Sequence, residues 1–169
     1  MRVIGFTGGG SLCELGSAID VQLFFDCLGT YVAWKHPEQD WSLLTDRLYQ
    51  RYLRLEDLDS ASALMAQVKQ IFEVLPNSAI DWHGMVVDTS KTRLDPSKET
   101  LADIFGKFFE HFAHCVESAK ISYEGFKSYP GYQYQPVRVA ITDEPWAMAE
   151  EQRSLGEYDA LEGKPFWLR

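Results

Sequence analysis

Hydrophobic side chains recur at three- and four-residue spacing in four stretches of the chain, which predicts four amphipathic helices. These predicted helices span residues 17–35, 40–55, 59–75 and 100–119. Ser17 followed by Asp20 is typical of a capping box, and Pro37 predicts a stop because it pushes the preceding residue out of the helical region. Asp40 and Thr100 are suited to cap the second and fourth helices. A shorter helix is expected over residues 144–153.

Alternating and short apolar runs predict the strands. Residues 136–142 alternate most regularly, and residues 2–7 and 12–15 read as a hairpin around a glycine turn. Residues 79–82 and 85–87 resemble two more short strands, whereas 88–98 and 128–135 are polar or turn-rich. The predicted fold is therefore α+β: about four main helices packed on a small, mostly antiparallel sheet that contains 3–6 and 137–141. No repeat or long linker divides the chain, so residues 1–169 are expected to form a single domain.

Composition narrows the class of protein. The 169 residues are 46% hydrophobic and 24% charged, which is typical of a globular domain and excludes a disordered chain. Sixteen basic residues against 25 acidic ones give a net charge of −9. This balance disfavours direct binding to nucleic acid and suits a basic partner.

The cysteines indicate a reducing compartment. Cys13, Cys27 and Cys115 are odd in number and widely spaced, so we expect three reduced thiols, no disulfide and no bound metal. No apolar run approaches the length of a membrane span, and the first residues do not resemble a signal peptide. The sequence therefore predicts a cytoplasmic protein with no membrane association and no cofactor.

Two motifs suggest chemistry, and each has a simpler interpretation. Gly8-Gly9-Gly10-Ser11 lacks the Lys-Ser/Thr pair of a phosphate loop, so a flexible turn is favoured. His111, His114 and Cys115 are spaced to share a helix face, but no further ligands complete a metal shell and no catalytic triad order is present. We expect no enzyme activity; the alternative is a small hydrolase or transferase that uses His111, His114 or glutamates in a pocket.

The last quarter of the chain combines acids with large aromatic residues. Residues 143–169 contain seven acids and three bases, a net of −4. Acids steer a basic protein and aromatics anchor it, although the same residues could form a solvated tail whose aromatics pack into the domain. The predicted partner-binding residues are Glu150, Glu151, Glu157, Asp159, Trp146 and Tyr158. The alternative is an acidic edge made of Glu56, Asp57 and Asp59, between the second and third helices.

A series of short motifs in the first half resembles a known family. A short strand precedes Leu15-Gly16-Ser17-Ala18, and Phe24-Phe25, Leu48-Tyr49-Gln50, a helix end at 71–75 and Trp82 follow in order. Over roughly residues 1–85, this order resembles immunity proteins of bacterial polymorphic-toxin systems, including contact-dependent growth inhibition.

The resemblance implies a cytoplasmic, non-enzymatic α+β protein. Such a protein binds the toxic C-terminal domain of a delivered effector in a tight one-to-one complex and neutralises it. Toxins of this kind are often nucleases with a basic cleft, which a charge of −9 has the right sign to meet. The immunity protein could either plug the cleft or bind beside it. After the immunity protein and the enzyme, a structural or adaptor domain is the third hypothesis for the function.

Overall fold

Three strands form an antiparallel sheet in the order β2–β1–β3. The computed structural model describes residues 2–82, 92–142 and 165–168 of the chain. The strands are β1 (Ile4–Gly8), β2 (Ser11–Gly16) and β3 (Arg138–Ile141). β1 is buried along its whole length because it pairs with β2 on one side and β3 on the other. The predicted hairpin and the predicted antiparallel sheet are confirmed.

The hairpin turn consists of two glycines alone. Gly9 and Gly10 have φ values of +57° and +91°, the left-handed conformation that two-residue hairpin turns require. The turn lies against a long helix, because the hydroxyls of Ser118 and Ser122 both donate to the carbonyl of Gly9. The interpretation of the glycine run as a turn is thus confirmed. The carbonyl of Gly9 accepts its hydrogen bonds from side chains of the same fold.

Helices cover the sheet. The α-helices are α1 (Ala18–Leu28), α2 (Leu58–Glu73), α3 (Leu101–Ile104) and α4 (Gly106–Phe126). Wider π-helical turns span Gly29–Ala33 and Leu43–Leu48, and 3₁₀ turns span Leu55–Asp57, Asn77–Ala79 and Phe166–Leu168. The predicted α+β fold, with about four main helices on a small antiparallel sheet, is confirmed. None of the helices within the described ranges is long and apolar enough to cross a membrane.

The predicted helix caps at Ser17 and Thr100 are present, whereas the turn after Asp40 begins behind Ser42 and has no side-chain cap. Ser17 and Asp20 form the reciprocal capping box that starts α1, and the Thr100 hydroxyl accepts from the amide of Asp103 to start α3. The predicted first helix continues past Leu28 as the π-helical turn, in which the Trp34 amide donates to the carbonyl of Gly29 at 2.9 Å. The predicted fourth helix is interrupted at Phe105 and runs on to Phe126.

Two predicted elements differ from the structure. The helix expected over 40–55 is only a short π-helical turn that ends at Leu48. It does not continue to residue 55, because the amide of Leu53 donates to the carbonyl of Val137 at 2.8 Å instead of to a helical carbonyl. The strand expected over 79–82 is a turn instead, in which the amide of Ile80 and the indole of Trp82 both donate to the carbonyl of Asn77. The strand expected over 85–87 and the helix expected over 144–153 lie outside the described residues.

Aromatic rings fill the core where the helices meet. Phe24 stacks on Phe108 with the ring centroids 4.6 Å apart and contacts four further rings edge-on, those of Phe25, Phe72, Phe105 and Phe109. Such edge and offset contacts add to the hydrophobic gain of burial. The fold therefore has one aromatic centre that ties α1, α2 and the α3–α4 pair together.

The last described turn returns to this core. Trp167 is 1% exposed, contacts the rings of Phe25 and Tyr49, and donates its indole N–H to the carbonyl of Tyr49 at 2.9 Å. For this one residue, the structure agrees with the interpretation that aromatics near the end of the chain pack into the domain. The chain end is thereby fixed to α1 and the second π-helical turn.

Candidate protein-binding surface

The acidic edge (Glu56, Asp57 and Asp59) lies at the start of α2. Asp57 accepts a hydrogen bond from the amide of Arg54 at 3.0 Å, so its carboxylate caps the 3₁₀ turn. The Asp59 side chain is 88% exposed and forms an ion pair with Lys120 of α4. Glu56 is exposed as well. Glu56 and Asp59 face solvent and Asp57 is half-buried, and all three charges stabilise the positive end of the helix dipole.

A second surface feature is an aromatic patch (Tyr123, Phe126, Tyr129 and Tyr132) at the end of α4. The ring centroids of Phe126 are 5.5 Å from Tyr129 and 6.1 Å from Tyr132, and those of Tyr123 and Tyr132 are 6.5 Å apart. Phe126 is 48% exposed and Tyr129 is 60% exposed. Rings that contact one another yet face water are typical of a binding surface rather than a core.

A tight turn holds the patch together. The amide of Tyr129 donates to the carbonyl of Phe126 at 2.9 Å, and Gly131 with φ +80° lets the chain reverse so that Tyr132 returns to α4. Lys127 lies over the ring of Tyr123 and pairs with Glu124, whose carboxylate raises the pKa of the lysine. The rings are therefore held by local contacts before any partner arrives.

The acidic edge and the aromatic patch adjoin each other. Lys120, which holds Asp59, is one helical turn before Tyr123 and so lies on the same side of α4. Between the two features, the Tyr134 hydroxyl donates to the carbonyl of Leu53 at 3.4 Å. Burial raises the pKa of Tyr134, and the nearby charges of Asp57 and Glu56 raise it further. Carboxylates and exposed rings are thus presented together.

Sequence reasoning missed the aromatic patch. Residues 128–135 read only as a turn, and the helix before them was expected to end at 119. The available signal was the regular three-residue spacing of the four aromatic rings, which continues from the helix into the turn. The predicted partner-binding residues Glu150, Glu151, Glu157, Asp159, Trp146 and Tyr158 all lie outside the described residues.

Among the candidate chemical groups, His114 takes part in a structural contact, and Cys27 and Cys115 are buried. His114 Nε2 is 3.2 Å from the Ser11 hydroxyl, which donates to Ser118 Oγ at 2.8 Å and so joins the hairpin to α4. Burial raises the pKa of the Cys27 thiol to about 12 and raises that of Cys115 as well, which keeps both in the neutral form. In the ranges that the structure describes, no three His, Cys, Asp or Glu side chains converge as a metal site would require.

Comparisons with protein-family models, with curated proteins and with solved structures give no match for this chain. The immunity-protein interpretation therefore stays a prediction, and its support comes from the surface described above.

Proposed function

We propose that this chain is an immunity protein that binds a basic toxin domain, such as a nuclease, in a tight one-to-one complex and neutralises it in the cytoplasm. The observation that carries the proposal is the adjacency of the acidic edge and the exposed aromatic patch. The family resemblance in the first half of the chain points the same way. No catalytic step is required of the chain in this account.

The two parts of the surface have different tasks in binding. Exposed carboxylates in a chain of net charge −9 steer a basic partner and speed the encounter, an effect that salt screens. Large rings supply the anchors, because buried aromatic side chains carry most of the energy of protein interfaces. Phe126 and Tyr129 are suited to this task, since they are already ordered against each other.

The acids of the last quarter, Glu150, Glu151, Glu157 and Asp159, with Trp146 and Tyr158, remain part of the proposal as a second contact region. The acidic edge is the region that can be tested against the structure. The proposal expects a large toxin gene directly before the gene for this chain, and the C-terminal domain of that toxin is the partner in the test.

Charge reversal at the acidic edge, compared with a matched control variant, tests the proposal. Glu56→Lys with Asp59→Lys changes the net charge as much as Glu38→Lys with Glu73→Lys, two exposed acids outside the edge. We expect the edge variant to slow association and flatten its salt dependence more than the control does, with thermal unfolding confirming that both fold. A chain that neither binds the neighbouring toxin domain nor protects cells from it would overturn the proposal.

A further inference from the structure

An open, shallow groove of about 690 Å³ lies along one face of the continuous helical segment formed by α1 and the first π-helical turn. Its lining residues are Phe25, Asp26, Gly29, Thr30 and Trp34. Trp34 is 83% exposed, the highest value among the large hydrophobic side chains of the described residues. The π-helical turn ends at Ala33, and the backbone amide of the capping residue Trp34 donates to the carbonyl of Gly29, which places the base of the Trp34 side chain at the groove.

The described lining of the groove includes one carboxylate, that of Asp26. Asp26 is exposed, and its Oδ1 accepts from the side chain of Gln22 at 2.8 Å. Within the described part of the chain, no hydrogen bond is made to Oδ2 and no basic side chain lines the groove. The groove therefore presents a carboxylate, that of Asp26, together with an aromatic ring, that of Trp34.

The centre of the groove is open because residue 29 is glycine. A β-carbon at Gly29 would meet no atom within 4 Å, and the backbone there has ordinary helical angles, φ −62° and ψ −48°. The glycine is therefore not required by the turn, and any side chain at this position would project into open space at the groove.

We propose that this groove binds an arginine side chain presented by a partner protein. A planar guanidinium can stack on the indole of Trp34 while it donates to the free carboxylate oxygen of Asp26, and Thr30 adds a hydroxyl acceptor. An arginine also complements the net charge of −9. The proposal rests on the proposed function only in naming a basic protein as the source of the arginine, and the pocket can be tested without that protein.

The probe is a short acetylated and amidated Gly-Arg-Gly peptide, titrated into the whole chain. The readout is the indole N–H signal of Trp34 in a nitrogen-15 correlation spectrum, assigned by its loss in Trp34→Leu. The matched control is the same peptide with citrulline, which keeps the shape of arginine and removes its charge. We expect the arginine peptide to move the Trp34 signal at millimolar concentration and the citrulline peptide to bind about tenfold more weakly.

Two substitutions alter the groove and test its role in arginine binding. Asp26→Asn removes the charge, and Gly29→Met fills the groove while leaving Asp26 and Trp34 in place. Gly106→Met is the control for the latter, since a β-carbon there also meets no atom within 4 Å. We expect both groove variants to lose arginine binding by about tenfold or more, and Gly106→Met to retain it.

No movement of the Trp34 signal, equal binding of the two peptides, or full binding by Asp26→Asn and Gly29→Met would each overturn the arginine pocket. Its failure is distinct from failure of the proposed function. Toxin binding without peptide binding rejects only the pocket, and peptide binding without toxin binding rejects only the proposed function.

Discussion

Gly9→Ala should destabilise the fold strongly, because two independent constraints meet at this glycine. Its φ of +57° is left-handed, which costs an alanine about 1–2 kcal/mol. A β-carbon at Gly9 would also overlap the carbonyl of Ser118 and lie 2.5 Å from the amide nitrogen of Ala119. These are backbone atoms of α4, so the hairpin and the helix must separate, at an overpacking cost of about 1–3 kcal/mol. The expected loss in the free energy of unfolding is about 2–5 kcal/mol.

Gly10→Ala is the matched control in the same turn. Gly10 is left-handed too, with φ +91°, but a β-carbon there would meet only the end of the Gln135 side chain, at 3.6 Å. The difference between the two variants in urea unfolding therefore gives the cost of the contact with α4. The comparison requires that the slope of the free energy of unfolding against urea concentration is the same in both variants. We expect Gly9→Ala to lose about 1–3 kcal/mol more than Gly10→Ala. Equal losses would refute the argument that the turn is seated on the helix backbone.

Three further predictions concern other parts of the fold. Gly29→Ala should raise the free energy of unfolding by about 0.4–1 kcal/mol in urea, because the backbone is helical and the space is open; a loss would contradict the geometry of the π-helical turn. Trp167→Ala should lower it by about 3–5 kcal/mol, since a fully buried indole and its hydrogen bond to Tyr49 are lost, and a melting temperature equal to that of the parent chain would show that the last turn is not part of the core. Burial raises the Cys27 pKa from 9.0 to about 12, so the folded chain favours the neutral thiol. The resulting contribution to the free energy of unfolding is complete below pH 9 and is lost as the pH rises toward 12. Cys27→Ala should therefore flatten the alkaline part of a curve of stability against pH.

The parts of the fold that depend on neighbouring residues could be predicted from the sequence. The Ser17–Asp20 capping box and the Thr100 cap each join groups three residues apart, so the residue types alone indicate them. The helix over 40–55 could not be predicted correctly, because its end is decided by the pairing of Leu53 with Val137, 84 positions later. Tertiary pairing there outweighs an apolar stripe that by itself favours a longer helix.

The candidate surface was predictable only in part. The acidic edge follows directly from the sequence, because Glu56, Asp57 and Asp59 are neighbours. The aromatic patch requires α4 to continue to Phe126 and the chain then to fold back on it; the three-residue spacing of the rings indicates the first step, but no spacing indicates the second. The adjacency of edge and patch depends further on the Lys120–Asp59 contact between two helices, which sequence spacing does not indicate.

Anchoring by the aromatic patch is the central claim, and calorimetric titration of the neighbouring toxin domain tests it most directly. The perturbed chain carries Phe126→Ala and Tyr129→Ala, and the control carries Val74→Ala, a residue that is 79% exposed at the end of α2. We predict that the double variant folds but binds at least about 30-fold more weakly, as removal of interface anchors worth 2 kcal/mol requires, while the control binds like the parent chain. An unchanged dissociation constant for the double variant would contradict the account.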